Sequence, residues 1–141
     1  MNNSIPSFDY ESVSVLEKVI EETATICYHI SSVHGFHEDH EAVKRAVSSS
    51  EDLSKWLEST TEQAEIARMH SELSEWLEGI RKDPNTPDNH LPQFSSSVVE
   101  AADCIIRILD TCAKRNYPIG AALVAKIHFN NSRPYKHGKN S

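Results

Sequence analysis

The sequence predicts an all-α protein, an antiparallel bundle of four to five helices, and three observations carry that expectation. Only 4 glycines occur in 141 residues. No proline falls between Pro6 and Pro84, so a long stretch has no obligatory helix breaker. Apolar residues recur at three- and four-residue steps, with neither strand-like alternation nor an internal repeat. In order, residues 10–32 carry Val13, Leu16, Val19, Ile20, Ile26, Cys27 and Ile30 as one amphipathic helix that Gly35 ends. Residues 37–61 read as two short helices around the break Ser48-Ser49-Ser50. Over residues 61–81 a stripe of Ile66, Met69, His70, Leu73, Leu77 and Ile80 predicts a helix with that stripe turned to the core. The segment 82–92 holds three prolines and reads as a loop. Helices over about 97–115 and from Pro118 to about Asn131 complete the bundle.

Length favours a single domain over 1–141. No apolar run approaches the roughly 18 residues of a membrane span. The N-terminus lacks a signal-peptide pattern, so the expected location is cytoplasmic, with Cys27, Cys104 and Cys112 as reduced thiols. Charge is unevenly spread. Residues 1–110 hold all 21 acids against 8 Lys/Arg, a balance of −13, while the last 31 residues carry 6 Lys/Arg and no acid. The total of −7 argues against a general nucleic-acid binder. A basic end on an acidic body suits either a metal meeting a polyanion or a solvated surface with a basic tail.

Two carboxylate pairs carry the chemistry. Glu72 and Glu75 are three residues apart on one helix, on an edge that also takes in Glu65, Arg68 and Trp76. Glu100 and Asp103 repeat the spacing on the next long helix, with Arg107 one turn further. An antiparallel hairpin lets the four acids converge, and four clustered carboxylates repel unless protonated or bridged by cations. Oxygen-only ligands suit Mg²⁺, or Mn²⁺, rather than zinc. Each pair also has a plain reading as solvated surface, and Ser97-Val98-Val99-Glu100 fits a capping box.

The motif Glu72-Leu-Ser-Glu75, a gap over 76–99, then Glu100-Ala-Ala-Asp103, resembles the signature of the MazG-like all-α nucleoside triphosphate pyrophosphohydrolases. Residues 71–81 and 103–110 resemble the family's two metal helices, and 88–94 its inter-helix loop. Lys126, Asn130 and Arg133 stand in a stretch similar to its phosphate-contacting C-terminal segment. Ala101 departs from the larger apolar residue common there, and the first 60 residues match only as a helical lead-in. The resemblance implies Mg²⁺-dependent hydrolysis of a nucleoside or deoxynucleoside triphosphate to the monophosphate and pyrophosphate. It assigns Glu72, Glu75, Glu100 and Asp103 to the metal and to catalysis, with Glu78 as a further candidate to orient water. Lys126, Asn130 and Arg133 fall to the phosphates, and Trp76 either stacks on a base or packs in a core or interface. It also implies a dimer or tetramer, which agrees with the lean apolar content of the chain. The alternative is a non-catalytic helical module that binds metal or nucleotide as a regulatory sensor.

The remaining candidates are weaker. His34, His37 and His40 repeat a three-residue step, but Gly35 interrupts it, so a polar loop competes with a zinc site. No His has a Glu three residues before it, which removes a ferritin-like di-iron bundle. Cys104 and Cys112 read as core thiols, and Arg107 as a partner for Asp103 one turn away or as a phosphate contact.

Overall fold

The computed structural model describes residues 10–132, which form five α-helices and no strand. These are α1 (Tyr10–Val33), α2 (Glu38–Val47), α3 (Glu51–Lys82), α4 (Ser96–Lys114) and α5 (Ile119–Asn131). Helix α1 ends as its sequence demands. Gly35 takes φ 79°, its N–H donates to the Ser32 carbonyl, and the Phe36 N–H reaches back to Ser31 at 3.1 Å. Those two bonds close a Schellman motif at a position where a side chain would be strained. The α4 end uses Asn116 at φ 55° for the same purpose.

Helix α3 departs from expectation in length. The second short helix and the 61–81 helix are one 32-residue element, about 48 Å long. Ser50 caps it by accepting from the Leu53 N–H, and Asp83, extended before Pro84, stops it. Between those points only Gly79, near the end, departs from ordinary helix formers, and Thr60-Thr61 lowers propensity without breaking the ladder.

The larger departure is which face of α3 turns inward. Its buried residues are Glu65 and Glu72, while Ile66, Leu73, Leu77 and Ile80 are exposed. The stripe expected in the core is therefore on the surface of the chain. The cause lies on α4, which packs against α3 and supplies the countercharges. Arg107 pairs with Glu72, and Lys114 with Glu65 at 2.8 Å. Both steps are seven residues, run in opposite directions, so the two helices form the antiparallel hairpin the sequence predicts. Arg115 adds contacts to Glu65 at 3.0 Å and to Glu58 at 3.5 Å. Burial works against the Glu65 carboxylate, but hydrogen bonds from Lys114 and Arg115 outweigh it and hold the group below its usual range.

The apolar core sits on the other side of α4. Ala24, Cys27 and Leu109 are buried there, ringed by Ile20, Ala113 and Ile119 from α1, α4 and α5. Helix α5 comes this close because residue 120 is glycine: a Cβ there would lie 2.5 Å from the Glu17 carbonyl oxygen, and its N–H donates to Glu21. Helix α2 is fastened by polar ties. His37 bonds Asp110 at 2.9 Å and stacks on Tyr28, and His40 bonds Thr61. These two histidines are therefore partly buried braces rather than an exposed polar loop. Among the described residues no helix is long and apolar enough to cross a membrane.

Candidate metal centre

The α3–α4 hairpin is closed by the segment 83–95, and that closure sets the register of the acids. Asp88 accepts from the His90 and Leu91 N–H groups, while the Ser96 N–H donates to the Thr86 carbonyl at 2.9 Å. Helix α4 therefore starts at Ser96, with Ser95 as its N-cap. The capping box expected at Ser97 does not form, since Ser97 is already inside the helix, buried against Gly79 with its hydroxyl unpartnered. Glu100 is free of a capping role and points to the seam.

There Glu72, Glu100 and Asp103 each present a carboxylate oxygen, all within 4.8 Å of one another. Among the described residues this is the single group of three or more side chains arranged to hold a metal ion. Glu72 is buried and Glu100 half-buried, while Asp103 lies at the solvent edge of the group, so the charges are only partly withdrawn from water. Burial, then the charges of Glu75, Asp103 and Glu72, holds Glu100 above the usual carboxylate range. Burial and the Glu72 charge do the same to Asp103, with Arg107 opposing. Three oxygen donors of this kind, repelling one another, fit a hard divalent cation.

Of the four acids marked in the sequence, three lie within that distance, and Glu75 falls outside it but beside Glu100, whose carboxyl its charge raises. It is exposed, accepts from Ser71, and lines with Glu100 and Glu78 a cleft of about 430 Å³. Glu78 pairs with Lys82 at 3.3 Å on the rim of that cleft. On the other flank of Asp103 lies a groove of about 530 Å³, lined by Arg68 and Arg107 and by Ile30, Phe36 and Ile106. Arg107 reaches across to Glu72 rather than along its own helix to Asp103.

Lys126 and Asn130 are not brought to the carboxylates. They lie exposed on α5, which packs against α1, and neither lines the cleft or the groove. The Lys126 ammonium sits 4.9 Å from the centre of the Phe129 ring on its own helix. Trp76, also exposed, lines neither space. Arg133 lies outside the described residues. Two groups gain a role at the site that the sequence reading had not given them. Asp88 is a fifth acid whose charge raises both Glu100 and Asp103, and the turn it caps is the only local signal of its placement. Arg68 becomes a groove cation, four residues before Glu72 on the same edge of α3. The cysteines are buried or half-buried free thiols, and burial raises Cys27 and Cys112 away from reactivity.

No family model matches the chain, and no curated protein or solved structure does either.

Proposed function

We propose that this protein is a nucleoside triphosphate pyrophosphohydrolase of the MazG-like kind, working with Mg²⁺ or Mn²⁺ held by Glu72, Glu100 and Asp103. The observation that carries the reading is the convergence of those three carboxylates from two helices within 4.8 Å. The spacing of the two acidic pairs in the sequence adds to it. A bound divalent cation draws charge from phosphoryl oxygens and lowers the pKa of water. The chain's own residues do the rest. Glu75 and Glu78 line the cleft beside Glu100, and on this reading they orient a water and accept its proton. Arg68 and Arg107, in the groove beside Asp103, offer guanidinium forks to phosphate oxygens. The apolar wall of that groove, with Ile30 and Phe36, suits a nucleobase.

One observation favours the regulatory alternative. Lys126 and Asn130 stand away from the carboxylates, so a single chain offers arginines but no lysine at the groove. Pyrophosphate release from a panel of ribo- and deoxynucleoside triphosphates, canonical and damaged, decides between the two. Turnover that requires Mg²⁺ and falls by orders of magnitude in Asp103→Asn is expected. Nucleotide binding without turnover identifies a sensor, and the absence of both binding and metal dependence removes the proposal.

A further inference from the structure

We infer that the groove beside Asp103 selects its nucleotide by the far edge of the base. It takes an exocyclic amine, as in cytosine and adenine, over the carbonyl oxygen that uracil and hypoxanthine carry at the same place. The groove follows one stripe of α4. Asp103, Arg107, Asp110 and Thr111 come at steps of four, three and one, so they share a side of the helix, and all four line the space of about 530 Å³. Their chemistry is ordered along the axis. A carboxylate of the metal group stands at one end, a guanidinium follows, and a second carboxylate with a hydroxyl closes the other end. Seven residues separate Asp103 from Asp110, a rise of about 10 Å, which is on the order of the reach from a nucleotide's phosphates to the far edge of its base.

Two polar groups at that far end are without a full set of partners. The Asp110 side chain is 17% exposed, and its Oδ1 is held by His37 Nε2 at 2.9 Å. A carboxylate only accepts, so Nε2 carries the proton, and the His37 ring is steadied in turn by stacking on Tyr28 at 5.2 Å. Oδ2 makes no hydrogen bond among the described residues and is not closed off from water. Thr111 is 8% exposed, and its hydroxyl likewise makes no hydrogen bond among the described residues. The neighbouring cations do not quench Asp110, since Arg107 pairs with Glu72 and Lys114 with Glu65. Withdrawing an acceptor and a hydroxyl from water without partners costs stability, and a ligand that supplies a donor removes the cost. An exocyclic amine donates to Oδ2, and the Thr111 hydroxyl serves the ring nitrogen beside that amine. A carbonyl oxygen in the amine's place meets a full negative charge and finds no donor there, so the site rejects it. The inference rests on the nucleotide reading of the groove and adds the class of base.

The test is calorimetric binding to the full chain, with Mg²⁺, of hydrolysis-resistant α,β-methylene triphosphates in two matched pairs, cytidine against uridine and adenosine against inosine. Any pair that binds is expected to favour the amine about ten- to hundredfold, the weight of one hydrogen bond to a charged group. Asp110→Asn keeps the shape of the side chain and an oxygen for His37. Checked for retained helicity by circular dichroism, it is expected to level or reverse that ratio. Glu41→Gln, an α2 acid outside the groove, is expected to leave the ratio as it is. Equal affinity within the pairs, or a preference for the carbonyl, overturns the inference and leaves the nucleotide reading standing. So does an Asp110→Asn variant that weakens both members of a pair alike, which makes Asp110 a brace for α2 and nothing more. Loss of the ratio in Glu41→Gln as well traces it to overall charge and has the same force. Binding of no nucleotide at all overturns the nucleotide reading and this inference with it. Should Asp110→Asn not fold, amide shifts in the nitrogen-labelled parent decide. The cytidine analogue is expected to move the Asp110 and Thr111 signals further than the uridine analogue does, and equal movement, or movement confined elsewhere, overturns the inference.

Discussion

At Glu100 and Asp103 the chain keeps carboxylates where burial and neighbouring acids both oppose their ionisation. A carboxyl whose folded pKa is raised destabilises the fold above that pKa, and the penalty is relieved as pH falls through it toward the ordinary unfolded value. Glu100→Gln removes the penalty at neutral pH. Thermal melts without metal should therefore give a midpoint equal to or above the parent at pH 7, with the gap closing as pH falls through the raised value toward the ordinary 4.5. The same variant should lose most of the Mg²⁺-induced rise in midpoint, since that rise comes from the ion binding only the folded site. A variant less stable than the parent and still responsive to Mg²⁺ contradicts the assignment. Arg107 is the opposite case, a resident countercharge on Glu72 that a divalent ion must tolerate or displace. Arg107→Gln should bind Mg²⁺ up to about tenfold more tightly by calorimetry, the equivalent of about 1.4 kcal/mol. An unchanged affinity would mean that the guanidinium lies too far out in solvent to compete.

The α3–α4 pair shows how a helix can hide its polar side. Glu65, Lys114 and Arg115 have side chains no more than 10% exposed, so their charges meet in a poorly solvated seam. Removing one partner strands the others. Glu65→Ala should lower unfolding free energy by about 3–5 kcal/mol in denaturant titrations, because Lys114 then stays buried without a counterion and Arg115 keeps only its longer contacts to Glu58 and Glu62. Glu72→Ala, whose partner Arg107 is 46% exposed, should lose far less, as solvent takes over the freed cation. Equal effects in the two variants would show that the seam is wetter than the packing indicates. The pH sign follows from Glu65 itself. Its carboxyl is held below the usual 4.5, so the stability it adds is present above that value and is lost as pH falls through the lowered one.

For the whole molecule, an excess of negative charge meets an excess of apolar surface. Each chain carries −7, and two copies brought face to face repel over distances that salt shortens to about 8 Å at 0.15 M. Self-association through the exposed Ile66, Leu73, Leu77, Ile80, Val98 and Ile105 would gain nothing from that charge. Self-association should therefore tighten as NaCl rises from 50 to 500 mM, roughly a threefold fall in screening length, followed by sedimentation at fixed protein concentration. Ion pairs across the interface would give the reverse trend, with the dimer loosening in salt.

The helical class, the end of α1 at Gly35, the break at Ser48-Ser49-Ser50, the stop before Pro84 and the loop that folds α4 back on α3 were all legible in the sequence. Each depends on glycine, serine or proline acting on its own backbone neighbours. The acidic pairs were legible as spacing, which is why Glu72, Glu100 and Asp103 could be marked before any fold was known. What only the tertiary structure decided was which side of α3 faces inward. A single helix with an apolar stripe and an acidic edge says that both exist, and burial of the stripe is the ordinary outcome. Here Arg107, Lys114 and Arg115 on a helix some 40 residues away neutralise the edge, so the edge goes in and the stripe stays out. That choice depends on countercharges matched in register across the hairpin, a property of the pair that neither helix carries alone. The same holds for Glu75 and Lys126. Their spacing matched a site, but the packing of α3 on α4 and of α5 on α1 set where their side chains stand.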